Sequence, residues 1–148
     1  MHEILRRYRG QIIAYILKLY HKPIVGSAVS LDLIFVDIFF DGYKLLRGNR
    51  YDIYWNKRHV GYLSIFFCTS GKVITACGHI GIEIFTPYRK KGIGLSCINY
   101  SIQILLKKQR KCTIVTDSSN IPMQQLLEKT QYKMVSYKSD YCYYEYAK

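Results

Sequence analysis

Residues 86–94 read Thr86-Pro87-Tyr88-Arg89-Lys90-Lys91-Gly92-Ile93-Gly94, and the character of the chain changes on either side of them. Before them, residues 73–85 are apolar and β-branched and predict a long antiparallel strand. Gly78 and Gly81 mark within it a bulge or a close approach to its backbone. After them, Ile98, Ile102 and Leu105 recur at helical spacing, and Lys107, Lys108 and Arg110 follow where cations suit the negative end of the helix dipole. The order is therefore strand, cationic glycine loop, helix. A helix start presents unpaired N–H groups and the positive end of its dipole, so it attracts anions before any side chain is considered. Gly92 and Gly94 remove side chains where a phosphate would approach the backbone. Arg89, Lys90 and Lys91 add three cations beside it, which suits a pyrophosphate or a nucleotide with an extra phosphate. The spacing matches neither GxxxxGK[ST] nor GxGxxG.

Working outward, residues 51–55 and 60–67 predict a hairpin about a polar turn at 56–59, with a second turn at 69–72. Downstream, 112–116 read as a short strand. The turn 117–120 is able to cap a helix over 122–130, and two final strands follow around 134–137 and 141–146. In residues 30–40, Leu31, Ile34, Phe35 and Ile38 fit the helical template while the β-branched and aromatic content suits a strand; the reading taken is a helix capped by Ser30 and stopped at Gly42. Residues 3–20 predict an amphipathic helix with Arg6, Arg7, Arg9 and Lys18 between apolar positions.

The 148 residues predict one domain, 1–148, with a helical N-terminal region over 1–50. With 49% apolar residues and a net charge of +12, the chain folds and attracts polyanions, so nucleic acid is a possible partner. Five widely spaced cysteines without a CxxC pair point away from zinc, any other metal and a disulfide framework. With no signal peptide and no uninterrupted apolar run of spanning length, they predict a cytoplasmic protein without a transmembrane segment. Six tyrosines (Tyr132, Tyr137, Tyr141, Tyr143, Tyr144, Tyr146) crowd the C-terminal strands, as half-buried strand residues or as a stacking surface for nucleic acid.

Arg89-x-x-Gly92-x-Gly94, between a strand and a helix, resembles the coenzyme A pyrophosphate loop of the GCN5-related N-acetyltransferase family, whose signature is Gln/Arg-x-x-Gly-x-Gly/Ala. Val60-Gly61-Tyr62 in the hairpin, and Asn120 opening a short helix that ends near Glu128-Lys129, extend the resemblance over residues 51–146. It implies an α/β (α+β) fold with a mixed, mainly antiparallel splayed sheet and flanking helices. It implies N-acyl transfer, with acetyl-CoA as co-substrate and no metal. The cofactor would lie against Ile82, Ile84, Phe85 and Thr86 at the strand end, on Arg89, Lys90, Lys91, Gly92, Ile93 and Gly94 in the loop, and near Asn120. An amine would attack the thioester directly, so the protein must position it, remove its proton and protonate the leaving thiolate.

Glu83 and His79 share one strand face by parity and are the candidate general bases. The tyrosine that often protonates the thiolate in this family is matched by Leu127, which leaves Tyr132, Tyr88 or water for that task, or a domain that binds acyl-CoA without efficient catalysis. The acceptor would be a small molecule, a protein or an aminoacyl-tRNA, and a dimer is compatible with the sequence. The alternative class is an inactive domain of this fold that binds nucleic acid or a protein through its basic surface.

Overall fold

Alternation of buried and exposed residues builds the first half of the computed structural model, which describes residues 28–41, 44–67 and 77–147. Strands β1 (Val29–Asp41), β2 (Lys44–Trp55), β3 (Arg58–Phe67) and β4 (Ile80–Ile84) form an antiparallel sheet in the order β1-β2-β3-β4. One face carries the core: Leu31, Leu33, Val36, Tyr51, Ile53, Leu63, Ile65 and Ile80 are all buried. Each Leu- or Ile-sized side chain so buried contributes about 1.5–3 kcal/mol. The β2–β3 hairpin turns on Asn56 and Lys57 alone, both left-handed (φ 49° and 65°), as a two-residue hairpin with right-handed strand twist requires.

Residues 30–40 are strand, not helix. Leu33 pairs with Tyr51 and Phe35 with Arg50, so Ile34 is an extra, bulged residue and is exposed. The bulge shifts the buried positions from 31 and 33 to 36, and this broken alternation imitates helical spacing. Ser30 pairs with Tyr54 in the sheet, so the region 29–50 is a strand pair wherever it is described, and the expected helical N-terminal region does not extend into it. The helix expected over 3–20 and the turn at 69–72 lie outside the described residues.

Strand β4 is also shorter than expected from residues 73–85. Gly78 adopts φ +72° and forms an isolated bridge to Ile114; a Cβ there would stand 2.8 Å from the Thr113 carbonyl oxygen and 2.9 Å from the Val115 nitrogen. The close backbone approach expected in this segment occurs at Gly78. A Cβ on Gly81 would meet only the Ser64 side chain, at 3.8 Å.

Helix α1 (Ile93–Leu106) follows the loop and buries Ile93, Cys97, Ile98, Ser101, Ile102 and Leu105. It packs against β3, β4 and the next strand, β5 (Lys111–Asp117). Helix α2 (Ile121–Glu128) starts at Asn120, whose Oδ1 accepts the Met123 N–H at 3.2 Å. Strands β6 (Lys133–Lys138) and β7 (Tyr141–Ala147) complete a second antiparallel sheet, ordered β5-β7-β6. In it Tyr132 and Tyr144 are buried while Tyr137 and Tyr141 are exposed, so the tyrosines divide between core and surface.

The two sheets meet beside Gly78. The His79 N–H donates to the Thr113 carbonyl at 2.7 Å, and the Thr113 N–H donates to His79 Nδ1 at 2.8 Å. Beyond this point no ladder joins β4 to β5 among the described residues, and one edge of β4 stays open.

Candidate functional site

The open edge of β4 has a defined polarity. Phe66 donates to the His79 carbonyl and Phe85 donates to the Val60 carbonyl (2.8 and 2.9 Å), so odd-numbered residues direct their backbone groups toward β3. Ile82 and Ile84 direct theirs to the open edge. Of the strand-end residues expected to face a cofactor, these two present backbone groups there. The Phe85 N–H is committed to β3, and the Phe85 and Thr86 carbonyls accept from Tyr88 and Arg89 in the 3-10 turn Thr86–Tyr88.

The loop then folds back on the strand. Arg89 Nε donates to the Ile84 carbonyl at 2.8 Å, which fixes the guanidinium at the end of the open edge. Lys90 is left-handed (φ 59°), and Lys91 Nζ lies 5.5 Å from the Trp55 ring centroid. Gly92 is the N-cap of α1 with φ +78°; no side chain caps the helix, and a Cβ on Gly92 would meet nothing within 4 Å. Ser96 N–H accepts no task beyond the helix: it donates to the Gly92 carbonyl, so the amides of Ile93, Gly94 and Leu95 are those at the helix start without an intrahelical acceptor. Gly94 has a second reason to be glycine, since a Cβ would stand 2.9 Å from Leu126 Cδ1 of α2. The exposed cations and uncapped amides together form an anion site that continues the open edge of β4. Its chemistry fits an extended chain of amides ending in phosphates.

The candidate proton-transfer groups separate. Glu83 lies on β4, exposed, opposite Tyr62 of β3. His79 precedes the strand, is 2% exposed, and its Nδ1 lone pair is occupied by the Thr113 N–H. The two therefore do not share an exposed face, because the strand begins only at Ile80; His79 ties the sheets together. Leu127 is fully buried. The Tyr132 hydroxyl donates to Cys112 Sγ at 2.9 Å in the core, and burial raises its pKa, so it is held as a phenol away from the loop. Tyr88 is half-buried against the core. Asn120 serves α2 as its cap.

A further cluster escaped the sequence reading. Gly61 pairs with Ile53 and His59 with Tyr54, so Val60 is an extra residue in β3 and turns into the core. The bulge brings His59 and Tyr62, three residues apart, to one face, with ring centroids at 4.9 Å. Phe85 lies 5.2 Å from His59 and 5.5 Å from Tyr62, and Tyr54 lies 5.5 Å from His59. His59 Nε2 stands 3.0 Å from the Gly61 carbonyl oxygen and 3.3 Å from Asp52 Oδ1. The signal was present in the apolar positions Val60, Leu63 and Ile65, whose spacing of three and then two breaks strand alternation.

Among the described residues no helix is long and apolar enough to cross a membrane, and no group of His, Cys, Asp or Glu is arranged to hold a metal. No protein-family model matches the sequence, and no curated protein matches it in sequence comparison. Solved structures do match in shape. The Campylobacter jejuni N-acetyltransferase PseH, in complex with acetyl coenzyme A, is 13% identical with a TM-score of 0.52, over 68% of this chain and 67% of that one. YncA of Salmonella typhimurium, a putative acetyltransferase with its cofactor acetyl-CoA, is 13% identical with a TM-score of 0.55, over 68% and 64%. RimL, a ribosomal L7/L12 alpha-N-protein acetyltransferase, is 14% identical with a TM-score of 0.54, over 68% and 69%. A Pyrococcus horikoshii protein is matched over 64% of its length, so the chain spans about two thirds of such structures. The chain has the α+β fold of the GCN5-related N-acetyltransferases.

Proposed function

We propose that this chain is an acyl-CoA-dependent N-acyltransferase that carries the acetyl group of acetyl-CoA to an amine. The observation that carries the reading is continuity: the uncapped, cation-flanked start of α1 runs on directly from the open edge of β4. A pantetheine arm has amides to pair with Ile82 and Ile84, and a pyrophosphate has charge to match Arg89, Lys90, Lys91 and the amides from Ile93 onward. Phe85, Thr86 and Gly92 shape the passage between them, and Asn120 flanks it. The Ile84 N–H, at the end of the edge, suits polarisation of the thioester carbonyl. Glu83 remains a candidate base by exposure. The reading takes 1–148 as one cytoplasmic domain without a metal, as a monomer or dimer, and leaves small amines, protein amines and aminoacyl-tRNA as acceptors.

The test is release of free CoA thiol from acetyl-CoA in the presence of spermidine, tyramine, kanamycin and a peptide with a free N-terminus. Turnover above the amine-free rate is expected with at least one of them. A second reading is favoured by the complete burial of Leu127 and the sequestration of Tyr132, which remove two acids from the site: a catalytically weak domain binding nucleic acid or a protein through its basic surface. Steeply salt-dependent RNA binding without thiol release would select that reading.

A further inference from the structure

The cluster around His59 stands on the sheet face opposite the buried one, at the end of β4, where the acyltransferase reading gives it no task. We propose that His59 Nδ1 is the general base that removes the proton from the attacking amine; the proposal rests on that acyltransferase reading.

The geometry sets the tautomer. Nε2 lies 3.0 Å from the Gly61 carbonyl oxygen and 3.3 Å from the Asp52 carboxylate. Both are acceptors, so Nε2 carries the hydrogen and the neutral ring presents its lone pair at Nδ1. Nδ1 makes no hydrogen bond among the described residues, and the side chain is 33% exposed, so that lone pair is open to an incoming group. Asp52, 20% exposed, places an anion against the imidazolium that forms. A base oriented by a second acceptor and a carboxylate is the arrangement proton abstraction requires.

The position agrees. Phe85 follows Ile84, the last residue of the open edge, and its ring is 5.2 Å from that of His59. The phosphate-binding loop thus lies beyond one end of β4 while His59 waits beside the same end on the outer face. The Val60 bulge aims it there; without the extra residue His59 would point into the core. The titratable groups facing the ring are Asp52 and Tyr54 from β2 and Tyr62 from its own strand, with Glu83 of β4 paired opposite Tyr62.

As the amine nitrogen bonds to the acetyl carbonyl carbon, one N–H proton passes to Nδ1. The C–S bond breaks with its electron pair on sulfur, the thiolate takes a proton from water, and the imidazolium returns its proton to water. Amine and acetyl-CoA become amide and CoA with no net proton change.

The test compares wild type with His59→Gln and Asp52→Asn as full-length chains, using whichever of tyramine or the free-N-terminus peptide turns over. General-base removal costs about 100-fold or more. His59→Gln is expected to lower kcat at least 30-fold, keep the acetyl-CoA Kd within threefold and lose the acid limb of the kcat/KM profile. A smaller loss, a retained acid limb, or a larger loss in Glu83→Gln overturns the assignment. Should His59→Gln fail to fold, two measurements decide: Asp52→Asn is expected to lower kcat at least fivefold at unchanged acetyl-CoA affinity, and nitrogen NMR of wild type is expected to show the Nε2–H tautomer. An Nδ1–H tautomer, or an Asp52→Asn enzyme of wild-type kcat, overturns it. Wild type that binds no acetyl-CoA overturns the acyltransferase reading itself, whereas turnover that ignores His59 overturns this inference alone.

Discussion

Gly61 of β3 packs so closely on Glu83 of β4 that a Cβ at position 61 would collide with the Glu83 carbonyl oxygen. The Ile84 Cα lies on the same side at 3.1 Å, so the obstruction is backbone and does not swing away. This contact sets the spacing of β3 and β4 beside the residue whose carbonyl receives Arg89 and the bulge that aims His59. Gly61→Ala is expected to push the strands apart at a cost of about 1–3 kcal/mol, as overpacking does. A urea titration checks it, and a midpoint equal to wild type would contradict the close approach.

Arg89 acts through the strand end. Its hydrogen bond to the Ile84 carbonyl is exposed, so its loss costs little stability, on the order of 1 kcal/mol. The same substitution removes a cation from the anion site and frees the loop. Arg89→Ala is expected to keep its thermal midpoint within a few degrees while weakening acetyl-CoA at least tenfold, about 1.4 kcal/mol. Arg89→Lys keeps the charge but not the planar guanidinium and is expected to fall between. Calorimetry on the three proteins orders them, and equal affinities would remove Arg89 from the site.

Buried thiols make the fold sensitive to alkali. Burial pushes Cys97 and Cys112 up to about 12 from an ordinary value of 9.0, and it also raises the Tyr51 hydroxyl. The folded state holds these groups neutral, so their stabilisation is complete below about pH 9, where unfolded thiols start to ionise. It is lost as pH rises from there to about 12. Within that window each thiol lowers stability by up to about 1.4 kcal/mol per pH unit. Urea midpoints are expected to hold from pH 7 to 8.5 and fall above 9; a flat profile to pH 10.5 would contradict the burial. Iodoacetamide is expected to label the exposed Cys77 in the native protein and to spare Cys97 and Cys112.

The parts of the fold that the sequence made legible are those with one dominant signal. The loop from Thr86 to Gly94, helix α1 and the β5-α2-β6-β7 order each follow from glycine placement, helical spacing or a capping Asn. Bulges hid the rest: Ile34 turned a strand into an apparent helix, and Val60 hid the alliance of His59 with Tyr62 and Asp52. His79 looked like a strand base because parity was counted through Gly78, whose left-handed backbone ends the strand register there. Which residue faces which neighbour depends on pairing across strands, and a single sequence does not carry that register.

The most direct measurement is a calorimetric titration of wild type, Gly92→Asp and Gly92→Asn with acetyl-CoA, with dephospho-CoA and free CoA for comparison. At φ +78° both substitutions are strained alike, Asn and Asp being the residues best able to adopt it, but only Asp sets a carboxylate where phosphates would sit. The expected result is about one equivalent of saturable, micromolar-range binding to wild type, retained in weakened form by Gly92→Asn and lost in Gly92→Asp. Equal affinity in the Asp and Asn variants, or no saturable binding to wild type at millimolar acetyl-CoA, would contradict a coenzyme A site at the start of α1.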